Sequence, residues 1–113
     1  MESQVELNEK RKELLSKFRE AAPDTMNAIR GVTGYVYQEG AISVKMKRLM
    51  SLALALGAGC TNCILGQTTL AMEAGATTEE ILETLSVVVS MRGTTGMAES
   101  LRIVQLLDEM GKL

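Results

Sequence analysis

Gly57-Ala58-Gly59-Cys60-Thr61-Asn62-Cys63-Ile64-Leu65-Gly66-Gln67 carries the chain's only two cysteines, two residues apart, directly behind a glycine pair and ahead of a helix-forming run. Glycine permits a sharp backbone turn, so the stretch reads as one helix stopping at Gly57-Ala58-Gly59 and another starting at Cys60. A cysteine at a helix N-terminus lies beside unpaired backbone N–H groups and the positive end of the helix dipole, which together favour the thiolate. The chain contains no histidine, so chemistry at these sulfurs has to run without an imidazole base.

Working outward, Leu49 to Leu56 is an apolar run for which Ser43 is the N-cap, entered through Lys45, Lys47 and Arg48. Ahead of it, Val5, Leu7, Leu14, Leu15 and Phe18 supply the apolar face of a first helix over Val5 to Ala21. A second helix opens at Pro23 or Asp24, with Met26, Ile29, Val32, Val36 and Tyr37 as its stripe and Gly40 as its end. Behind the cysteines, a helix over Thr61 to Ala74 closes at Gly75. Thr77-Thr78-Glu79-Glu80 then offers a capping box for a fifth helix through Ile81, Leu85, Val88 and Val89. Gly93-Thr94-Thr95-Gly96 breaks the pattern before a last helix with Leu101, Val104, Leu107 and Met110 as its apolar face. No stretch alternates with period two, so the expectation is an all-α chain of about six helices forming a single domain over residues 1–113.

Twelve Lys and Arg against 14 Asp and Glu give a net charge of −2, with no basic excess to draw in nucleic acid or anionic lipid. The start, Met-Glu-Ser-Gln-Val-Glu, lacks the charged and apolar regions of a secretory signal, and no apolar run reaches the roughly 20 residues of a membrane span. A cytoplasmic location is the default expectation. The eight Met, spaced among Leu and Ala, read as gap-filling core.

Two cysteines separated by two residues on one helical turn can alternate between dithiol and disulfide without large backbone motion. Redox exchange is the functional reading. The competing readings are an inert buried pair and half a zinc site. Zinc needs about four ligands, which this chain could supply only by pooling cysteines between subunits. No cofactor or metal is called for. A purely structural disulfide is disfavoured by a reducing compartment and by the little that so short a loop gains on closure.

The run Gly40-Ala-Ile-Ser-Val-Lys45-Met-Lys-Arg-Leu-Met, then Cys60-x-x-Cys63-Ile64, then Ala74-Gly75-Ala76-Thr77-Thr78-Glu79-Glu80-Ile81 resembles the carboxymuconolactone decarboxylase family, specifically its alkylhydroperoxidase (AhpD-like) branch. The match runs in order and spacing over residues 24–107. The resemblance implies an all-α helical bundle completed by neighbouring subunits in trimers or hexamers, and thiol peroxidase or disulfide reductase chemistry. The substrate would then be a small hydroperoxide or a partner protein's disulfide. It further implies that Cys63 attacks peroxide and becomes a sulfenic acid, which Cys60, after donating a proton, resolves as the intramolecular disulfide. The sister activity, decarboxylation of a muconolactone, belongs to a branch expected to lack the cysteine pair.

Three positions depart from the family pattern. The residue four after the second cysteine, usually His, is Gln67; the residue before that cysteine, His in some members, is Asn62; and the Glu expected twelve residues before the first cysteine is Arg48. Neither amide takes a proton at neutral pH, so the family's Glu/His relay is missing. Arg48, pointed at the cysteines, would stabilise a thiolate by charge; pointed away, it joins Lys45 and Lys47 on a solvated face. Gln67 could hydrogen-bond a sulfur or bound peroxide. A helical oligomer that keeps the fold and has lost the activity, serving as a scaffold or binding protein, is the alternative.

Overall fold

Four of the six helices start at a side chain able to accept a hydrogen bond from the first turn, and these caps set the element boundaries. The computed structural model describes residues 2–113, and among them the elements are α1 (Gln4–Ala21), α2 (Pro23–Val36), α3 (Val44–Ala58), α4 (Thr61–Glu73), α5 (Thr78–Arg92) and α6 (Thr94–Glu109). No strand occurs among the described residues, and no helix is long and apolar enough to cross a membrane. The Thr77 hydroxyl takes the Glu80 N–H while the Glu80 carboxylate takes the Thr77 N–H, the reciprocal box expected from the sequence. Lys45 of α3 reaches the same carboxylate at 2.8 Å, and its ammonium holds Glu80 below the usual carboxylate range.

The core lies where α3, α4, α5 and α6 meet. Leu49, Leu52 and Leu56 face Ile64 and Ala71, with Ile81, Leu85 and Val88 from α5 and Ile103 and Leu107 from α6 completing the cluster. Each set repeats at three- and four-residue intervals, the spacing that keeps side chains on one helical face. Helices α5 and α6 approach closely at Gly96. A Cβ at Gly96 would lie 2.8 Å from the Cβ of Arg92 and 3.0 Å from the Val88 carbonyl oxygen, so this glycine serves packing. It does not break the helix, which starts ahead of it at Thr94.

Several faces are turned differently from the sequence expectation. In α6 the buried positions are Gly96, Ser100, Ile103, Leu106 and Leu107, whereas Leu101 and Met110 are exposed. Gly96 takes the core side because a larger residue would meet Arg92 and the Val88 carbonyl there. In α1 the buried residues are Gln4 and Asn8, while Leu14, Leu15 and Phe18 are exposed. Polar anchoring explains this: Glu109 accepts from the Gln4 and Val5 N–H groups, the Ser3 hydroxyl and the Gln105 amide. These donors, led by the Val5 N–H, lower its pKa to about 2.

The second helix buries no residue at all. It ends at Val36 rather than Gly40, because the Lys47 ammonium takes the carbonyls of Val36 and Gln38 at 2.8 and 2.6 Å and turns the chain there. Its stripe of Ile29, Val32 and Val36 faces outward, Val32 being 64% exposed. The methionines likewise are not core filler. Met46, Met50, Met91 and Met97 are exposed, and among the described methionines Met72 alone packs against the buried cluster.

These packing relations give opposite expectations for two helical glycines. Gly96→Ala should lower stability by about 1–3 kcal/mol through overpacking. Gly34→Ala, where a Cβ meets nothing within 4 Å, should raise it by about 0.5–1 kcal/mol through helix propensity. Urea titration of both variants checks the signs; a stabilised Gly96→Ala would contradict the close α5–α6 approach.

Candidate functional site

The α3–α4 corner is built by Gly59. With φ at 69° it adopts a left-handed conformation that costs an L side chain about 1–2 kcal/mol. Its N–H bonds the Leu56 carbonyl and the Cys60 N–H bonds that of Ala55 at 3.1 Å, which closes α3. Cys60 is therefore the last residue fixed by α3. It is also the N-cap of α4, where its sulfur accepts the Cys63 N–H at 3.3 Å. One residue has both duties, so the position of the sulfur is set from two helices.

Cys60 and Cys63 are joined as a disulfide, with a Cα–Cα separation of 5.2 Å across the first turn of α4. Cys60 is half-buried and Cys63 exposed, so neither is an inert buried thiol. Cys63 opens onto a groove of about 420 Å³ between α1 and α4, with Gln67 and Asn62 on its α4 side and Leu14, Leu15 and Phe18 on its α1 side. The groove is apolar apart from these amides and one guanidinium, that of Arg11.

Arg48 is not on a solvated face with its neighbouring lysines. It is half-buried, its guanidinium lies 3.5 Å from the centre of the Tyr37 ring, and its Nη1 donates to the Gln67 Oε1 at 3.3 Å. Lys45 and Lys47 are occupied elsewhere, on Glu80 and on the end of α2. A guanidinium has donors only, so it fixes which way the amide of Gln67 faces: the oxygen towards Arg48, the NH2 left as a donor. Gln67 stands four residues after Cys63, one helical turn along the same face. Arg48 is absent from the groove lining itself; its link to the site runs through Gln67.

The chain matches the model of the carboxymuconolactone decarboxylase family over residues 23–106. It belongs to that family. Family relatives of known structure carry the same architecture. A carboxymuconolactone decarboxylase family protein from Legionella pneumophila, 28% identical, superposes with a TM-score of 0.86 over 96% of this chain and 97% of its own. A family protein from Thermotoga maritima with a suggested role in an antioxidative response is 25% identical, with a TM-score of 0.69 over 93% of this chain and 94% of its own. By sequence, an uncharacterised protein of Cupriavidus necator is 31% identical over 91 residues, 80% of each chain. Protein 4 of the cox locus of Paracoccus denitrificans, also uncharacterised, is 31% identical over 84 residues, 74% of this chain and 76% of its own.

For this member of the carboxymuconolactone decarboxylase family, the structure brings together Cys60, Cys63 and Gln67 and attaches Arg48 to them. Two further side chains escaped the sequence reading. Tyr37 reads as part of an apolar stripe, but it carries the Arg48 guanidinium and shares a hydrogen bond with Ser51; nothing in local spacing connects residues 37 and 48. Arg11 reads as one charge among many on an amphipathic helix. The signal for it was Gly66, a glycine inside α4, where a Cβ would meet the Arg11 guanidinium carbon at 3.2 Å.

Proposed function

We propose that the protein is a thiol-dependent oxidoreductase that reduces a small hydroperoxide, or a partner's disulfide, by cycling Cys60 and Cys63 between dithiol and disulfide. The observation that carries this reading is the exposure of Cys63 in the α1–α4 groove while its sulfur is within bonding reach of Cys60. The antioxidative response suggested for the Thermotoga maritima relative supports the same class of chemistry. The scaffold alternative draws only on the missing Glu and His, and an exposed Cys63 in a groove, bonded to Cys60, is not what a scaffold requires.

In the reduced form Cys63 ionises, releasing its proton to solvent. The α4 N-terminus stabilises the thiolate, and the Gln67 NH2, left without a partner on the same helical face, is the side-chain donor available to it, both favouring the charged form. The thiolate attacks the terminal peroxide oxygen. The O–O bond breaks, Cys63 becomes a sulfenic acid, and the departing alkoxide takes the Cys60 proton and leaves as the alcohol. The Cys60 thiolate then attacks the Cys63 sulfur, an S–S bond forms, and hydroxide leaves and takes up the proton first released, giving water. The balance is dithiol plus hydroperoxide to disulfide, alcohol and water. A dithiol reductant returns two electrons and two protons. A cytoplasmic location, with its thiol pool, fits this regeneration.

The reading includes assembly into a homo-oligomer, a trimer or hexamer. Its support is apolar surface on separate elements: the outward stripe of α2, and a groove between α3 and α5 lined by Met50, Leu54, Val87 and Met91, with Leu54 and Met91 73% and 80% exposed. Single apolar residues on a surface are ordinary, whereas two contiguous faces mark contact sites. Light scattering of the wild type should give a mass above that of one chain, and Leu54→Glu should shift it towards the monomer. A monomeric wild type would end the assembly reading.

The activity test uses the reduced protein with one equivalent of tert-butyl hydroperoxide. The expected products are one equivalent of tert-butanol and the Cys60–Cys63 disulfide. Cys63→Ser should lose at least about a thousandfold in rate, and Cys60→Ser should accumulate sulfenic acid on Cys63, trapped by a carbon nucleophile. A reduced wild type that leaves both the peroxide and the disulfide of a dithiol partner untouched would return the protein to the scaffold class.

A further inference from the structure

Arg11 is the one charged side chain in the Cys63 groove. Its Nε donates to the Asn8 Oδ1 at 2.9 Å, Asn8 itself being buried, and this pins the guanidinium plane. The plane lies over Gly66, whose missing side chain is what lets it approach α4. Among the described residues Arg11 forms no ion pair, and neither Nη nitrogen has a protein acceptor, whereas Arg102, another arginine half-buried against a helix, pairs with Glu99. A fixed planar fork with two open donor positions is suited to bidentate capture of a carboxylate.

The surroundings limit what carries that carboxylate. Gln4, Asn8, Arg11, Leu15 and Phe18 form one stripe at three- and four-residue spacing along α1. It begins buried and polar and ends with Leu15 and Phe18 exposed at the groove, where Leu14 and Leu70 add further apolar surface. Cys63 and Gly66 are three residues apart on α4, a rise of about 4.5 Å, so an anion on Arg11 stands within about one helical turn of the reacting sulfur. A volume of about 420 Å³ is in the range of small-molecule sites.

We propose that the α1–α4 groove is a subsite for small amphipathic monocarboxylates, with the carboxylate on Arg11 and the chain against Leu14, Leu15, Phe18 and Leu70. The substrates so selected are carboxylic acids that carry a hydroperoxide near the acid group, reduced at Cys63 by the two-electron step given above. The proposal rests on the peroxidase reading for its chemistry and on Arg11 alone for its selectivity.

The test separates these. The disulfide form is titrated with octanoate and with octanamide, neither of which reacts with thiols, and backbone amide shifts are followed by NMR. Octanoate should bind at least about tenfold more tightly than octanamide, with shifts at Cys63, Gly66 and the second half of α1. Arg11→Gln should abolish the preference. Gly66→Ala, which forces the guanidinium to move, should weaken it and serves if the first variant does not fold. In turnover, Arg11→Gln should raise KM for a carboxylated hydroperoxide relative to tert-butyl hydroperoxide.

Equal affinity for the acid and the amide, or a preference that survives both substitutions, overturns the subsite and leaves the peroxidase reading intact. Octanoate binding without peroxide consumption supports the subsite and counts against the peroxidase reading. If octanoate shifts nothing because Leu14 and Phe18 are buried against a second copy, the groove is an assembly surface and the proposal fails.

Discussion

The left-handed backbone of Gly59 is the constraint on which the site depends. Because that residue closes α3 with its φ at 69°, the next residue emerges already oriented to cap α4. Cys60 therefore holds its sulfur over the Cys63 N–H as a consequence of helix termination, with no separate loop to order. A longer connection would release the sulfur from this double tether and add conformational entropy to every approach of the two cysteines. The apolar faces of α3 and α4 that meet below the corner, Leu52 and Leu56 against Ile64 and Ala71, hold the two helices at that angle.

Where the family pattern has histidine and glutamate, this chain has a set of contacts without a base. Tyr37 supports Arg48, Arg48 orients the amide of Gln67, and Gln67 offers donors to the face on which Cys63 lies. None of these groups abstracts a proton. In the proposed reaction they would favour the ion once it has formed, by electrostatic positioning rather than by general-base transfer. The sequence reading left Arg48 either charging the sulfurs directly or lying on a solvated face; its guanidinium instead lies on Tyr37 and donates to Gln67.

Helix number, order and most boundaries were legible because caps are local: Ser43, Thr77 with Glu80, and the glycines at 59 and 75 act within a few residues of themselves; the end of α2 was not, since Lys47 sets it from the next helix. Which face each helix buries was less legible, since that depends on the neighbour. Leu14, Leu15 and Phe18 carry the hydrophobicity of α1, yet Gln4 and Asn8 are the buried residues because Glu109, over a hundred positions away, anchors that end. In α6 Leu107 is buried as its spacing suggests, yet Leu101 and Met110 are exposed while Gly96 lies buried against α5. The outward stripe of α2 and the exposed methionines of α3 and α5 have the composition of a core without the burial. The cysteine pair was visible as a motif, whereas Arg11 and Tyr37 are brought to it only by the fold.

In the proposed reaction the α4 N-terminus and the oriented Gln67 amide keep Cys63 ionised without a base. The direct measurement is the pH dependence of Cys63 alkylation in the reduced protein, with Cys60→Ser isolating the signal, in the presence and absence of Arg48→Gln. The account predicts a midpoint below the ordinary thiol value of about 8.5, moving up towards it when Arg48 is replaced. A midpoint at or above that value with Arg48 in place would contradict it.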